Sequence, residues 1–324
     1  MRILLSDRAA AEIGPRVAGV FGARPFQVLT PAEGITRDFD AAFVSRDVTA
    51  RSTKYQLEPV TAHFHDALRQ AKSLRWVHSH SAGADRPIYL ELLARGVAVT
   101  TSSGANAPIV AQSALAGILA LARRFPLLAA QQREREWKTL IGALPRDLEG
   151  QCAVIVGWGP IGQLLAGWLE AIGLRIVVVR NSAQPAGAHA TFAYDQLVEA
   201  ARNADWLVIA CPLSDRTRGM VTREVLAAMA AGAHVVNVGR GEVVVERELV
   251  AALQSGQVAG ACLDTFELEP LPQDSPLWGM PNVIVTPHSA GLSAGNEARV
   301  AQMFLENLGR LLDGRPLLRA ATPA

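Results

Sequence analysis

The fold class of the chain is indicated first by the segment Val154-Ile155-Val156-Gly157-Trp158-Gly159-Pro160-Ile161-Gly162. It carries the spacing GxGxxG directly after an apolar β-branched run, where a strand is expected to end and a helix to begin. In that setting Gly157 permits a tight turn, Gly159 lets the backbone approach a phosphate, and Gly162 lets helix and strand pack closely. The helix N-terminus adds free N–H groups and a positive dipole end. The stretch therefore predicts a pyrophosphate-binding turn; the alternative is a tight glycine turn without a ligand.

The chain around this turn reads as a doubly wound sheet. Near-continuous apolar runs of this length are typical of buried parallel strands, and helical patterns at 161–172, 194–201, 222–230 and 246–254 separate them. We predict six strands: Ala153–Val156, Arg175–Val179, Trp206–Ala210, His234–Val238, Gly260–Leu263 and Val283–Thr286. Two helical stretches, 107–125 and 127–141, precede this series, and a last helix over 293–313 follows it.

The first hundred residues repeat the alternation. Helical stretches near 8–20, 61–71 and 86–95 lie between short apolar runs, which indicates βαβ units and a second parallel sheet. The predicted strands are Arg2–Leu5, Gln27–Leu29, Ala42–Val44, Arg75–Val77 and Val97–Val99.

Composition excludes several classes of protein. The chain has 324 residues, of which 50% are hydrophobic and 19% charged, so it can bury a large core and is not disordered. A formal charge of +1 gives no overall attraction to nucleic acid. Three dispersed cysteines favour a reducing, cytoplasmic compartment, and neither a signal peptide nor a membrane span is expected. The paired histidines at 78 and 80 lack an evident third ligand, so we predict no metal site.

The strand after the glycine turn predicts the cofactor. NAD sites place a carboxylate at the end of this strand to bind the ribose 2′-hydroxyl. Here the strand ends in Arg180-Asn181-Ser182, which lacks a carboxylate. Arginine pairs with a 2′-phosphate, so NADP(H) is favoured over NAD(H); the alternative is that Arg180 lies on the adenine face and NAD(H) is used.

Three further strand ends carry charged residues. Arg240 stands between Gly239 and Gly241, Asp264 follows the next strand, and His288 follows the last one. If all strands are parallel, these residues lie on the same carboxyl edge as the glycine turn, where open α/β sheets bind ligands.

These motifs together resemble the D-isomer-specific 2-hydroxyacid dehydrogenases, most closely the glyoxylate/hydroxypyruvate reductase branch. The resemblance runs over about residues 74–315. It rests on GxGxxG, Asn237-Val-Gly-Arg-Gly241, Leu263-Asp-Thr-Phe266, Glu269-Pro-Leu-Pro272, Ser275-Pro-Leu-Trp278, Asn282-Val-Ile-Val-Thr-Pro-His288, Leu74-Arg-Trp76 and Ser81-Ala-Gly-Ala-Asp85.

The resemblance implies the roles of the site residues. His288 is expected to be the general acid, Glu269 to stabilise its imidazolium, and Arg240 to bind and polarise a small 2-oxo acid. Backbone N–H groups of Ser81, Ala82 and Gly83 would bind the substrate carboxylate. Asp264 would contact the nicotinamide amide. The other expected cofactor contacts are Cys211, Pro212, Thr217, Val238, Gly239, Ser289 and Gly291.

The resemblance also implies the architecture. We expect two doubly wound, Rossmann/flavodoxin-like α/β domains with a cleft between them. These are a discontinuous substrate domain, 1–101 plus 292–324, and a dinucleotide-binding domain, 102–291. Helices over 107–141 would form a homodimer interface. Trp137 is expected to be a packing residue, and the alternative is that it reaches across the dimer. Which 2-oxo acid is used stays open; the candidates for pocket lining are Ser45, Arg46, Tyr55, His78 and His80. The alternative function is a nucleotide-sensing, corepressor-like binding protein on the same fold.

Overall fold

The computed structural model describes residues 1–31, 38–50, 52, 56–84 and 86–321. It divides into two compact units, each with its own sheet and core. The first unit comprises Met1–Ala105 and Ser293–Ala324, and the second unit comprises Asn106–Leu292. Both are α/β structures in which every strand pairing is parallel within the described ranges.

The second unit is built on a seven-stranded sheet in the order β12-β11-β10-β9-β6-β7-β8, counted over the described residues. Its strands are β6 (Cys152–Val156), β7 (Arg175–Arg180), β8 (Ala190–Ala193), β9 (Trp206–Ile209), β10 (Ala233–Asn237), β11 (Val258–Leu263) and β12 (Val283–Val285). Its helices are α5 (Ala107–Ala122), α6 (Phe125–Glu134), α7 (Pro160–Ala171), α8 (Leu197–Ala200), α9 (Arg223–Ala228) and α10 (Glu246–Ser255).

Two differences from the sequence prediction stand out. The predicted sheet of six strands is wrong, because a seventh strand, β8, pairs with β7 at the edge. β8 is only partly buried and lacks a continuous apolar run, so tertiary pairing rather than local pattern creates it. The predicted helix 127–141 is also wrong in extent. α6 ends at Glu134, where Arg135 adopts a left-handed backbone conformation, and none of its described residues is buried.

Alternate side chains of the central strands enter two cores, one on each face of the sheet. Val154 and Val156 pack into one core, whereas Ala153 and Ile155 pack into the other beneath α5 and α7. All four side chains are inaccessible to solvent. This burial on both faces explains the near-continuous apolar sequence of β6.

The first unit has a five-stranded sheet in the order β2-β1-β3-β4-β5 in the part of the chain that is described. Its strands are β1 (Arg2–Leu4), β2 (Gln27–Leu29), β3 (Ala41–Val44), β4 (Trp76–Ser79) and β5 (Ala98–Thr101). Its helices are α1 (Asp7–Phe21), α2 (Arg46–Thr49), α3 (Pro59–Gln70), α4 (Pro87–Ala94) and α11 (Asn296–Leu312). α11 packs beside α1 on one face of this sheet, so the end of the chain completes the core begun at its start.

Among the described helices, none alone has the length and apolar character needed to cross a membrane. α5 and α6 meet those criteria only as a pair, and a bend of 67° separates them.

Candidate active site

The parallel sheet of the second unit gathers the predicted site residues on one edge. β10, β11 and β12 are neighbours, and Arg240, Asp264 and His288 follow their carboxyl ends. β6, which precedes the glycine turn, lies next to β9 in the same sheet. Since all of these strands run in the same direction, the prediction of a shared carboxyl edge is confirmed.

The glycine turn is closely packed at two of its three glycines. Gly157 has φ +109°, and a Cβ built on it would lie 2.7 Å from the backbone nitrogen of Cys211. A Cβ on Gly162 would overlap the carbonyl oxygen of Gly157. These two positions therefore require glycine, as the motif predicts.

The third glycine faces open space, and the helix after it begins without a cap. A Cβ on Gly159 would meet no described atom within 4 Å. Gly159 precedes the first residue of α7, Pro160, and no described side chain caps this end of the helix. The N–H groups of the first turn, including that of Ile161, are thus available to an anion. The arrangement fits the pyrophosphate of a dinucleotide.

The loop that follows β9 forms the neighbouring wall of the turn. A Cβ on Gly239 would lie 2.8 Å from the carbonyl oxygen of Cys211, so the ends of β9 and β10 also touch through backbone. Cys211 is buried, and burial raises the pKa of its thiol to about 12, which keeps it neutral. Thr217, also buried, donates from its hydroxyl to the carbonyl of Pro212 and accepts the N–H of Ser214, which fixes the loop.

A second arginine stands beside the predicted ribose site. Arg180 is the last residue of β7, which runs one residue beyond the predicted end at Val179, and Asn181 and Ser182 follow it. Arg216, from the loop after β9, donates from Nη1 to Oδ1 of Asn181 at 2.7 Å and to its carbonyl oxygen at 3.1 Å. Sequence reasoning missed Arg216, because 36 positions separate it from Arg180 and no motif links the two.

His288 and Glu269 form the pair that the family resemblance implies. Nδ1 of His288 lies 2.8 Å from Oε2 of Glu269. A carboxylate only accepts, so Nδ1 carries the proton and Nε2 is left to exchange one with a ligand. The other oxygen of Glu269 accepts the N–H of Phe266 at 3.1 Å, which holds the carboxylate in place. The His288 side chain remains about half exposed, at 49%.

Asp264 holds the segment that carries His288. Its Oδ1 accepts the hydroxyl of Thr286 at 2.6 Å and the N–H groups of Ser289 and Ala290 at 2.8 and 3.0 Å. His288 itself has φ +49°, a left-handed conformation that costs a non-glycine residue about 1–2 kcal/mol. Its N–H donates to the Asp264 carbonyl at 2.9 Å. Asp264 is therefore a positioning residue for His288; its predicted contact with the nicotinamide amide stays a prediction.

Arg240 is exposed, whereas its neighbours Gly239 and Gly241 are buried, and Asn237 fixes the turn that carries it. The Asn237 side chain is buried, accepts the N–H of Gly239 and donates to the carbonyl of Arg240, both at 3.0 Å. Gly241 follows in close contact with the backbone of Phe266, where a Cβ would overlap the carbonyl group. The Arg240 turn and the loop that carries Glu269 are therefore in direct contact. Asn237 belongs to a sequence motif, but its role in fixing the Arg240 turn is visible only from these contacts.

The remaining predicted cofactor contacts line part of this region. Val238 is buried. Together with Asp264 and Ser289 it lines a cavity of about 320 Å³ beside α5. Gly291 packs against Asn106, whose side-chain nitrogen would lie 2.7 Å from a Cβ there. A larger cavity, about 500 Å³, lies at the opposite edge of the sheet, next to Trp206 and His234 at the amino ends of β9 and β10.

In the first unit, the loop after β4 carries the predicted substrate contacts. The N–H of Ser81 is directed to Oγ of Ser79 at 3.2 Å. The N–H groups of Ala82 and Gly83 have no acceptor within the described ranges. Asp85 of the same motif lies outside the described residues.

His78 does not line a pocket, so that hypothesis is wrong. It is wholly buried, with Nδ1 2.7 Å from Oγ1 of Thr100 and Nε2 3.1 Å from Oγ of Ser102. The Ser102 hydroxyl donates to the Ser79 carbonyl, so it accepts from Nε2–H of His78. Burial lowers the pKa of His78 to about 3, and the ring stays neutral beneath the Ser81 loop.

His80, by contrast, borders a small cavity of about 40 Å³ that Ser45 and Arg46 also line. Its Nε2 lies 2.7 Å from Oγ1 of Thr49, and burial lowers its pKa to about 4. Tyr55, the other candidate for pocket lining, lies outside the described residues.

Comparison with known proteins decides the family. Residues 115–290 match the family model described as the D-isomer specific 2-hydroxyacid dehydrogenase, NAD binding domain. A glyoxylate/hydroxypyruvate reductase of Arabidopsis thaliana is 34% identical over 255 residues, which is 78% of each chain. The chain belongs to the D-isomer-specific 2-hydroxyacid dehydrogenase family. It is therefore an oxidoreductase with an NAD(P)-binding domain of the Rossmann type, as the sequence motifs indicate.

Solved structures agree over nearly the whole chain. D-Mandelate dehydrogenase of Rhodotorula graminis is 27% identical with a TM-score of 0.81, covering 99% of this chain and 97% of its own. The NADPH-dependent glyoxylate/hydroxypyruvate reductase of Sinorhizobium meliloti, in complex with NADP and sulfate, is 26% identical with a TM-score of 0.73. It covers 99% of this chain and 98% of its own.

Proposed function

We propose that this dehydrogenase reduces a small 2-oxo acid such as glyoxylate or hydroxypyruvate to the D-2-hydroxy acid with NADPH. The observation that carries the proposal is the 2.8 Å pair of His288 and Glu269. It lies on the same sheet edge as Arg240 and an uncapped glycine turn. The glyoxylate/hydroxypyruvate reductases of Arabidopsis thaliana and Sinorhizobium meliloti support the substrate class.

The proton of the reaction is held at Nε2 of His288. Glu269 accepts from Nδ1–H, so a protonated His288 presents Nε2–H to the ketone oxygen while its positive charge is stabilised by the carboxylate. When bound, the reduced nicotinamide supplies the hydride to the carbonyl carbon. Once the ketone oxygen takes the proton, His288 is neutral and keeps its proton on Nδ1. A proton from water then restores the acid.

Arg240 is proposed to bind the substrate and polarise its carbonyl. A guanidinium group matches the geometry of a carboxylate and strengthens the positive field where negative charge develops on oxygen. Nη1 of Arg240 donates to the Gly239 carbonyl at 2.7 Å. This bond orients the guanidinium group and leaves its other N–H groups for a ligand. The N–H groups of the Ser81-Ala82-Gly83 loop remain the predicted partners of the substrate carboxylate.

The preference for NADP(H) is proposed from the end of β7. Arg180 has no carboxylate partner in the part of the chain that is described, so it is available to a 2′-phosphate. No carboxylate follows it in Asn181-Ser182 to bind a ribose hydroxyl. The relative from Sinorhizobium meliloti was solved with NADP, which is in keeping with this assignment.

The test is the oxidation of NADPH and NADH with a panel of 2-oxo acids. The wild type should turn over glyoxylate or hydroxypyruvate with NADPH, and His288→Gln should lose about 100-fold or more in kcat while it still binds NADPH. Arg240→Ala should lower both substrate affinity and kcat. Substantial activity in His288→Gln would refute the acid role. Tight NADPH binding by the wild type without turnover of any 2-oxo acid would instead favour the nucleotide-sensing alternative.

We also propose a homodimer through α6 and the segment after it. The described residues of α6 bury nothing within the chain, and large apolar side chains there are exposed. These are Phe125, Leu127, Trp137, Ile141 and Leu144. Trp137 is 97% exposed, so the expectation that it is a packing residue within the chain is wrong. An apolar surface of this kind is typical of an interface. Light scattering after gel filtration should give twice the chain mass, and Phe125→Glu with Ile141→Glu should give monomers; a monomeric wild type would refute the dimer.

A further inference from the structure

A pair of guanidinium groups lies at the end of β7, and the sequence motifs account for one of them. Arg180 closes the strand, and Arg216 reaches the same place from the loop after β9. Arg216 donates from Nη1 to the side-chain oxygen and the carbonyl of Asn181, the residue next to Arg180. The two loops are thus joined by a side chain that carries a positive charge.

Tyr194 lies close enough to both arginines for their charges to act on its hydroxyl. It follows Ala193, which is the register partner of Arg180 across β7 and β8. The guanidinium carbon of Arg216 lies 5.9 Å from the centre of the Tyr194 ring, within the range of a cation–π contact. Burial raises the pKa of the Tyr194 hydroxyl, and both Arg216 and Arg180 oppose that rise, so both charges act on one group.

Arg180 and Arg216 have no carboxylate partner among the residues that the structure describes. Two like charges that act on the same residue repel each other, and an anion bound by both relieves that repulsion. A guanidinium group has five N–H donors, and Arg216 uses one nitrogen on Asn181, so donors remain for a ligand.

The position of the pair selects the anion. It lies at the carboxyl end of β7, next to the strand that precedes the glycine turn, which is where the adenine ribose of a dinucleotide binds in such sheets. A phosphate on the ribose 2′-oxygen offers three acceptor oxygens to such a fork, whereas a hydroxyl offers little to a second cation.

We propose that Arg216 is a second specificity residue for NADP(H). Arg216 binds the 2′-phosphate together with Arg180 and keeps its contact with Asn181. This inference rests on the proposed function, since it deepens the cofactor preference assigned there. The hydroxyl of Thr217 accepts the N–H of Ser214 and donates to the carbonyl of Pro212. These bonds fix the loop that carries Arg216, so the Arg216 side chain extends from a fixed backbone.

The experiment separates the 2′-phosphate from the rest of the cofactor. The probes are 2′,5′-ADP and 5′-AMP, which differ by that phosphate, and calorimetry of the full chain gives both dissociation constants. Arg216→Gln should weaken 2′,5′-ADP about tenfold and leave 5′-AMP within about twofold. Arg216→Lys, which keeps the charge, should recover part of the loss. The matched control is Arg218→Gln, an exposed arginine two residues away in the same loop, which should change neither constant.

Each outcome has one meaning. The inference is overturned if Arg216→Gln behaves like Arg218→Gln, or if it weakens 5′-AMP as much as 2′,5′-ADP, because the residue would then serve the loop or the adenosine. If the wild type binds 2′,5′-ADP no more tightly than 5′-AMP, the NADP(H) preference fails as well. Since the titration needs no turnover, a lack of 2-oxo acid reductase activity would not affect this result.

Discussion

Replacement of Gly157 by alanine tests the packing of the glycine turn most directly. The new Cβ would lie 2.7 Å from the backbone nitrogen of Cys211, and 2.8 Å from both its Cα and the carbonyl carbon of Ala210. An ordinary contact begins at 3.4 Å, so the ends of β6 and β9 would have to separate by several tenths of an ångström. One backbone bond between these two strand ends resists the separation, Ala210 N–H to Val156 O at 2.9 Å, and the bond from Gly157 N–H to Val179 O at 2.7 Å fixes the turn against β7.

Two costs add in this variant. Overpacking of a close-packed site costs about 1–3 kcal/mol, and an alanine at φ +109° is strained by roughly another 1–3 kcal/mol. We therefore expect the free energy of urea unfolding to fall by about 2–5 kcal/mol, and the NADPH dissociation constant to rise about tenfold or more. The turn can no longer present its N–H groups to the pyrophosphate in the same place.

The control is Gly167→Ala in α7, where a Cβ meets no described atom within 4 Å. Helix propensity should make that variant up to about 1 kcal/mol more stable, with NADPH binding unchanged. Urea unfolding followed by tryptophan fluorescence, and fluorescence titration with NADPH, measure the two quantities. Equal stability and equal NADPH affinity in Gly157→Ala and the wild type would refute the packing argument.

Three further predictions follow from the contacts of single residues. Asp264→Asn removes the charge that holds the segment around His288, so kcat should fall about tenfold; an unchanged kcat would contradict the positioning role. Glu269→Gln should lower kcat about 100-fold, because the imidazolium loses its counter-charge, whereas a variant as active as the wild type would show that the pair is not needed. Burial lowers the pKa of His78 to about 3 in the folded state, against about 6.5 in the unfolded state. Only the unfolded state therefore takes up this proton as pH falls from 6.5 towards 3, and the free energy of unfolding declines by about 1.4 kcal/mol per pH unit. Urea unfolding at pH 7 and pH 5 should show a smaller pH dependence in His78→Gln by about 2 kcal/mol, and the same pH dependence in both proteins would refute this.

Local sequence was sufficient for the catalytic edge of the second unit. The run from Val154 to Gly162 indicates a strand, a turn and a helix from local pattern alone. Gly162 is required by the carbonyl oxygen of Gly157 in the same turn, whereas the close contact of Gly157 with Cys211 arises only in the fold. Strands such as β6 and β9 are recognisable from sequence because both of their faces are buried. Their residues therefore form a continuous apolar run instead of alternating between apolar and polar. Arg240, Asp264 and His288 could be placed together because parallel strands share a carboxyl edge.

Tertiary structure decided what depends on contacts between distant segments. β8 forms only because β7 offers it an edge, and α6 ends at Glu134 although the sequence would allow a longer helix. The hydrogen bonds that position the site residues also join distant segments. Asp264 accepts the N–H of Ser289, 25 positions away, and so holds the segment that carries His288. Arg216 reaches Asn181 across 35 positions, so its part in the cofactor site could not be read from the chain around either residue. Sequence thus determined which chemical groups stand at the strand ends, whereas the fold determined which of them hold the others in place, because hydrogen-bond partners are chosen in space rather than along the chain.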